Sequence, residues 1–460
     1  MSSAEVTGRV AVDRTRLAGL LERERATYRE RHPRSLAAFE QAGANLLGGV
    51  PMTWMRMWAG GFPLYSDRAE GARLVDLDGN SFVDFCLGDT GAMAGHSPGP
   101  AVMAVVRRFA GLGGATTMLP TEDASWVAAE LARRFGPTHW SFALSATDAN
   151  RWAIRLARQL TGRPKILVFS YCYHGSVDET FIVAGPDGPR SREGNVGAPI
   201  DPRETTRVVE FNDLDALERE LRAGDVAAIL MEPALTNIGI VLPEPRYLHA
   251  VRALATEHGS LLVNDETHTF SAGPGGCTRA WHLSPDLVTI GKSIAGGIPI
   301  GGYGLSAELA ERILSDPDVD LVDTGGIGGT LAGNPLSIAA ARATLEHVLT
   351  DAAFERMIAL ADRYTAGVQD VLDTHRLPWT ITQLGARAEY RFCPEPPRTG
   401  GESAAAADPE LDEYLHLYTA NRGVLMTPFH NMALMCPATS EADVDVHTDV
   451  FAAAAGDLVG

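Results

Sequence analysis

The chain has 460 residues, 45% of them apolar, which excludes wholesale disorder and, at ~150 residues per domain, calls for two or three units. Lysine plus arginine (39) against aspartate plus glutamate (58) leaves a net charge of −19, a surface that repels phosphate backbones and argues against nucleic-acid binding. Five scattered cysteines (Cys86, Cys172, Cys277, Cys393 and Cys436) with no C-x-x-C pair argue against a disulfide framework or zinc knuckle and for a reducing compartment.

The N-terminal MSSAEVTGRVAVDRTRL has no apolar h-region, and no run of about 18 uncharged apolar residues follows anywhere. The expectation is a cytoplasmic protein with neither signal peptide nor membrane span. Residues 11–47 are charged and helical in pattern, with Leu17, Leu20 and Leu21 on one side. RLVDLDGNSFVDF (73–85) predicts a hairpin around Asp78-Gly79, a favoured turn pair. From about 96 to 340 short apolar runs alternate with helical segments. The runs are KILVF (165–169), AAILM (227–231), SLLVND (260–265) and LVTIG (287–291). Unbroken apolar strands between helices predict a mostly parallel sheet covered on both faces, doubly wound by the right-handed crossover rule. After 340 come long helices, a strand or hairpin at TITQLGARAEYRF (380–392), a loose loop at 394–409 and a final helix capped by Ser440 and Asp443. The fold class expected is α/β: a large domain over 96–340, with 1–95 and 341–460 combining into a smaller α+β domain.

In such sheets ligands sit beyond the carboxyl ends of the strands. Several reactive residues fall there: Asp265 and Glu266 after one run, Lys292 after the next, Tyr173, His174 and Gly175 after KILVF, and Glu232 after AAILM. A lysine at a strand end ordinarily reaches for solvent. Around Lys292 the sequence is apolar and glycine-rich, which would desolvate an ammonium and favour the neutral amine a Schiff-base nucleophile needs. Asp265, shielded at the end of an apolar run, needs a cationic partner, and a protonated pyridine nitrogen would serve. A lysine and an aspartate on neighbouring strand ends describe a pyridoxal phosphate site. For the phosphate, Ser145, Ala146 and Thr147 lead straight into a helix whose N-terminus favours anions. Thr330, in GGIGGTLAGNP (325–335), is a second phosphate candidate, and Tyr173 could stack on a flat ring.

As an ordered set, LVDLDGNSFVDF, GHSP (95–98), SATDAN, YCYHG (171–175), MEPALTN (231–237), LVNDET (262–267), TIGKSIAGGIPIGGYG and GGTLAGNP resemble the class III pyridoxal-phosphate aminotransferases of fold type I. Within them, the glutamate-1-semialdehyde aminomutase-like branch is the nearest pattern. The resemblance runs from about residue 45 to the C-terminus. It implies that Lys292 binds the cofactor covalently and shuttles protons, and that Asp265 pairs with the pyridinium nitrogen. It further implies that Tyr173 stacks on the ring, that His174 and Thr267 adjoin it, and that Asn237 lies near its phenolic oxygen. Ser145, Ala146 and Thr147 would hold the phosphate. Thr330 would reach the phosphate of a neighbouring subunit, so a homodimer with shared sites is implied. The sequence departs from the family at Ala146 and Asp148 (usual S-G-T-E-A) and at Thr267 (usual D-E-V), and His268 beside it is read as a feature of this branch.

A substrate carboxylate is best clamped by arginine. Arg56, in MTWMRMW, and Arg387 and Arg391, on one face of the 380–392 segment, are the candidates. Asp89 and Thr90 would line the entrance. The function expected first is an aminotransferase passing an amino group between an α- or β-amino acid and a keto acid. An intramolecular aminomutase is the alternative, ranked second because the surroundings of Arg56 and the SATDAN turn depart from that enzyme's pattern. A degenerate cofactor-binding protein is disfavoured by the intact Lys292, Asp265 and Tyr173.

Overall fold

A computed structural model describes residues 12–197, 201–319 and 326–460. The N-terminal stretch read for a leader segment therefore lies mostly outside the described residues, as does Gly325. A seven-stranded sheet forms the centre. Its spatial order is His139–Ala143, Gly301–Leu305, Leu287–Gly291, Leu261–Asp265, Val226–Met231, Lys165–Phe169, Thr206–Val209. All four apolar runs are strands of it. They and Thr206–Val209 pair in parallel, whereas Gly301–Leu305 runs antiparallel to both its neighbours. Along Leu287–Gly291, Val288 and Ile290 enter one apolar cluster and Leu287 the other, so the sheet is buried on both faces. Each such side chain taken out of water contributes about 1.5–3 kcal/mol.

Three of the glycines after Lys292, namely Gly301, Gly302 and Gly304, have a use in the sheet. They form the strand Gly301–Leu305, slotted between two others. A Cβ on Gly301 would fall 2.2 Å from the Ser145 carbonyl oxygen, so bare backbone is what lets the start of the next helix press against the strand ends. That helix, Ala146–Thr161, buries Ala149, Ala153, Leu156 and Ala157 at helical spacing, along with one polar residue, Asn150.

The strands from the two chain ends pair in sheets of their own. Arg73–Asp76 and Ser81–Asp84 form the hairpin, and Ser81–Asp84 also pairs in parallel with Val424–Leu425. Thr380–Leu384 and Arg387–Arg391 form a second hairpin, extended by Met432–Leu434. The loop after it contains a short helix, Gly400–Ala405. The last helix, Glu441–Val459, has a full capping box: Ser440 Oγ accepts from the Asp443 amide, and Asp443 Oδ2 accepts from the Ser440 amide. All five cysteines are free thiols, four of them buried. No described helix is long and apolar enough to cross a membrane.

Candidate active site

The parallel strands Leu261–Asp265 and Leu287–Gly291 put Asp265 and Lys292 side by side at their carboxyl ends. They open on a cleft of about 420 Å³ whose floor carries Asp265, Thr267, His268 and Lys292 and whose walls carry Tyr173 and Glu232.

Asp265 is buried and gripped by three donors. Asn150 Nδ2 (2.8 Å) and His174 Nδ1 (2.9 Å) donate to Oδ2, and the Thr267 amide (3.0 Å) donates to Oδ1. Burial works to raise its pKa, yet the hydrogen bond and charge of His174, with Thr267 and Asn150, hold it below the usual carboxylate range. Asn150 cannot turn its amide around, because Thr289 Oγ1 donates to its Oδ1 at 2.6 Å and its Nδ2 also serves the His174 carbonyl at 3.1 Å. Glu266, the next residue, points elsewhere. Its carboxylate accepts from Thr269, Cys277 and Thr278 and ties down the helix Gly276–Ala280, outside the cleft.

Lys292 is not set among apolar groups as its sequence neighbours suggest. Nζ donates to the Asp89 carboxylate (2.8 Å) and carbonyl (3.0 Å), and lies 2.5 Å from His268 Nε2. Asp89 comes from a loop in which Leu87, Asp89 and Thr90 all have positive φ (44°, 47° and 79°), and Lys292 itself has φ 53°. Four non-glycine residues in the left-handed region at one site are held there at a cost of the order of 1–3 kcal/mol each. Burial would raise the Asp89 pKa, but Lys292, His268, His430 and Arg387 hold it well below its ordinary value.

At the other end of the cleft Ser145 caps the helix Ala146–Thr161, its Oγ accepting from the Asp148 amide and donating to the Asp148 carboxylate at 3.0 Å. Ala146 and Thr147 line the cleft, and Thr147 Oγ1 accepts from the Ser176 amide. Gly175 (φ +78°) lies so close that a Cβ would fall 2.0 Å from Thr147 Oγ1. This is a helix N-terminus stripped of side chains on its approach, a seat suited to a phosphate. Thr267 Oγ1 is buried without a partner at the same cleft. An anion seat, a pinned carboxylate and a lysine amine around one cleft fit pyridoxal phosphate.

The remaining sequence candidates divide. Tyr173 forms a wall, with its amide donating to Glu232 Oε1, and His174 is buried behind Asp265. Asn237 is half-buried and does not line the cleft, whereas Thr236, its neighbour, bonds His268. Thr330 is exposed and does not line this chain's own cleft. Arg56 is exposed beside Gly48. Arg391 is buried against the Ser403 carbonyl. Arg387 alone reaches the Asp89 loop: it is 1% exposed, its Nη2 donates to Thr90 Oγ1 at 2.5 Å, and its Nε has no partner. Asn150, Thr236 and Thr289 have no role in the sequence reading. The one available signal was Asn150, a polar residue on the apolar face of its helix.

A family model for the class-III aminotransferases matches residues 55–454. The chain belongs to that family. Its cofactor is pyridoxal phosphate. A glutamate-1-semialdehyde-aminomutase from Pseudomonas aeruginosa PAO1, solved in complex with PMP, superposes with a TM-score of 0.94 at 46% identity, covering 98% of this chain and 100% of that one. Glutamate-1-semialdehyde 2,1-aminomutase of Rhodopirellula baltica is 35% identical over 377 residues, 79% of this chain and 82% of that protein. An omega-transaminase from Sphaerobacter thermophilus is similar at 30% identity and a TM-score of 0.83, covering 93% of this chain and 98% of that one.

These relatives correct the expected function. An aminotransferase with a separate keto acceptor is overturned by curated relatives at 33–35% identity and a solved structure at 46%, all aminomutases. The grounds for ranking the aminomutase second were also weak physically. Arg56 lies outside the cleft, and Ala146 and Asp148 leave the helix cap and its anion seat intact.

Proposed function

We propose that the protein is an aminomutase of the glutamate-1-semialdehyde type, moving an amino group between neighbouring carbons of one substrate. The supporting observation is the 46% identity to an aminomutase across 98% of the chain, with the lysine, aspartate and anion seat all in place. Lys292 would hold pyridoxal phosphate covalently, Asp265 its ring nitrogen, Tyr173 its ring face, and Ser145, Ala146 and Thr147 its phosphate. Bound there, the cofactor supplies an electron sink that lets a proton leave the carbon bearing the amine. Asp265, kept ionised by its three donors, keeps the ring nitrogen protonated. Lys292 Nζ would take up the proton at the substrate carbon and return it. Arg387 would take the substrate carboxylate, since it is the one candidate arginine at the Asp89 loop and has an unused donor.

The assembly proposed is a homodimer, with Thr330 serving the phosphate of the neighbouring subunit. In its support, exposed apolar side chains concentrate in two stretches, including Leu47 and Met57 in one and Met103, Phe109, Met118 and Leu119 in the other. The proposed units are 96–340 for the cofactor and 1–95 with 341–460 for the smaller part, and the proposed compartment is the cytoplasm. The function is tested by giving the loaded protein glutamate-1-semialdehyde as sole substrate. Many turnovers to 5-amino-4-oxopentanoate support it, and at most one equivalent consumed per site refutes it.

A further inference from the structure

Behind Lys292 runs a file of buried polar groups that cofactor holding does not use. His268 Nε2 is 2.5 Å from Lys292 Nζ, His268 Nδ1 is 2.8 Å from Thr236 Oγ1, and the Thr236 hydroxyl meets Glu232 Oε2. His268, Thr236 and Glu232 are 5%, 1% and 2% exposed, and the file borders the cleft at Lys292, His268 and Glu232. Its hydrogens can be assigned. With Glu232 ionised, both its oxygens accept, one from the Tyr173 amide and one from Thr236. Thr236 has a single proton, so it must accept from His268. The imidazole proton is then on Nδ1, and Nε2 is left to accept from the Lys292 ammonium. Reversing every bond gives a second arrangement that is equally complete: a Glu232 carboxyl, a Thr236 hydroxyl turned to Nδ1, and an Nε2–H facing a neutral Lys292 amine.

We propose that His268, Thr236 and Glu232 form a proton relay that takes one proton from Lys292 Nζ and returns it. The proton on Nζ passes to His268 Nε2, the proton on Nδ1 to Thr236 Oγ1, and the Thr236 proton to Glu232 Oε2. Lys292 ends as a free amine, Glu232 as a carboxyl, and His268 as the other neutral tautomer. The charges around the file suit this. Besides Lys292, His268 faces Asp89, Arg387 and His430, and burial together with Lys292 holds it well below its usual pKa, so it passes protons and does not store a charge. Burial raises the Glu232 carboxyl, making it the better resting place. Asp89 anchors the ammonium, and the relay is the exit from that anchor.

The relay rests on Lys292 being the reactive amine, as proposed above. Its test needs neither cofactor nor substrate, so it fails or succeeds apart from the aminomutase reading. Lys165 and Lys292 are the only lysines. In the cofactor-free full-length protein, trace acetylation of Lys292 relative to Lys165 is followed by mass spectrometry against pH. Thr236→Val should lower the labelling of Lys292 relative to Lys165 about tenfold at neutral pH. Thr236→Ser, which keeps the hydroxyl, should follow the native profile, and Glu232→Gln should behave like Thr236→Val. A Thr236→Val or Glu232→Gln profile that overlays the native one, or a Thr236→Ser profile displaced as far as that of Thr236→Val, overturns the relay.

Discussion

Asp265→Asn keeps the shape of the aspartate and removes its charge, and the cost can be worked out bond by bond. The native Oδ2 accepts from Asn150 Nδ2 and His174 Nδ1 at 2.8 and 2.9 Å. An amide accepts on one side only, so its NH₂ must face a donor. On the Oδ1 side it meets the Thr267 amide, a backbone N–H that cannot change; on the Oδ2 side it meets both Asn150 and His174, whose imidazole can adapt by moving its proton to Nε2, which has no partner. Asn150 cannot adapt, because Thr289 and the His174 carbonyl fix its orientation. The loss is one bond to a charged acceptor plus one stranded donor, about 3 kcal/mol after partial relaxation. Urea unfolding of the cofactor-free protein at fixed concentration should show that loss, and turnover of the loaded protein should fall at least a hundredfold, roughly the same 3 kcal/mol read as a rate. The swap Asn150→Asp with Asp265→Asn turns the bond around. It should recover about half of the stability, the His174 carbonyl still lacking a donor, and none of the activity, because the charge has left the position facing the ring nitrogen. Recovery of activity by the swap, or full activity in Asp265→Asn alone, would refute the assignment of Asp265.

Three further outcomes are expected. Gly175→Ala puts a methyl 2.0 Å from Thr147 Oγ1 at a φ of +78°; a strain of about 1–2 kcal/mol should weaken cofactor retention roughly tenfold in a dialysis assay while the fold survives. Arg387→Lys should raise KM for the substrate at least about tenfold with a smaller change in kcat, as a bidentate fork becomes a point charge; Arg391→Lys should leave KM unchanged, and equal effects would remove Arg387 from the substrate site. His416 is buried with its pKa pushed down to about 4, chiefly by burial. Its contribution is intact above the unfolded value of about 6.5 and is lost as pH falls toward its folded value, a stake of about 3 kcal/mol. The native protein should therefore lose stability between those limits, and His416→Gln should flatten that part of the profile.

The sequence reveals the parts of this molecule that rest on local pattern. Four apolar runs are strands because β-rich segments buried on both faces show as unbroken hydrophobicity, and the Asp78-Gly79 hairpin and the Ser440 cap depend on residues next to one another. Gly301–Leu305 was not legible as a strand, because its glycines make room for the Ser145–Ala146 backbone at Gly301 and the Trp140 ring at Gly304 and leave no periodic side chains. Asp265 and Lys292 were legible as reactive residues from their place at strand ends. The surroundings of Lys292 were not: Asp89 lies 203 positions away in sequence, on a loop strained into place, and local composition carries no information about it. The arginines show the same limit. Arg387 and Arg391 share a strand face, yet one meets the Asp89 loop and the other the short helix after 400, a difference set by packing at each end of the strand.

The central claim is that one substrate serves as both source and recipient of the amino group. The most direct measurement is the initial rate of glutamate-1-semialdehyde consumption by the loaded protein as 2-oxoglutarate or pyruvate is added from zero. The account predicts sustained turnover with no keto acid and a rate that does not rise as one is added. A rate that starts at zero and climbs in proportion to the keto acid would contradict it.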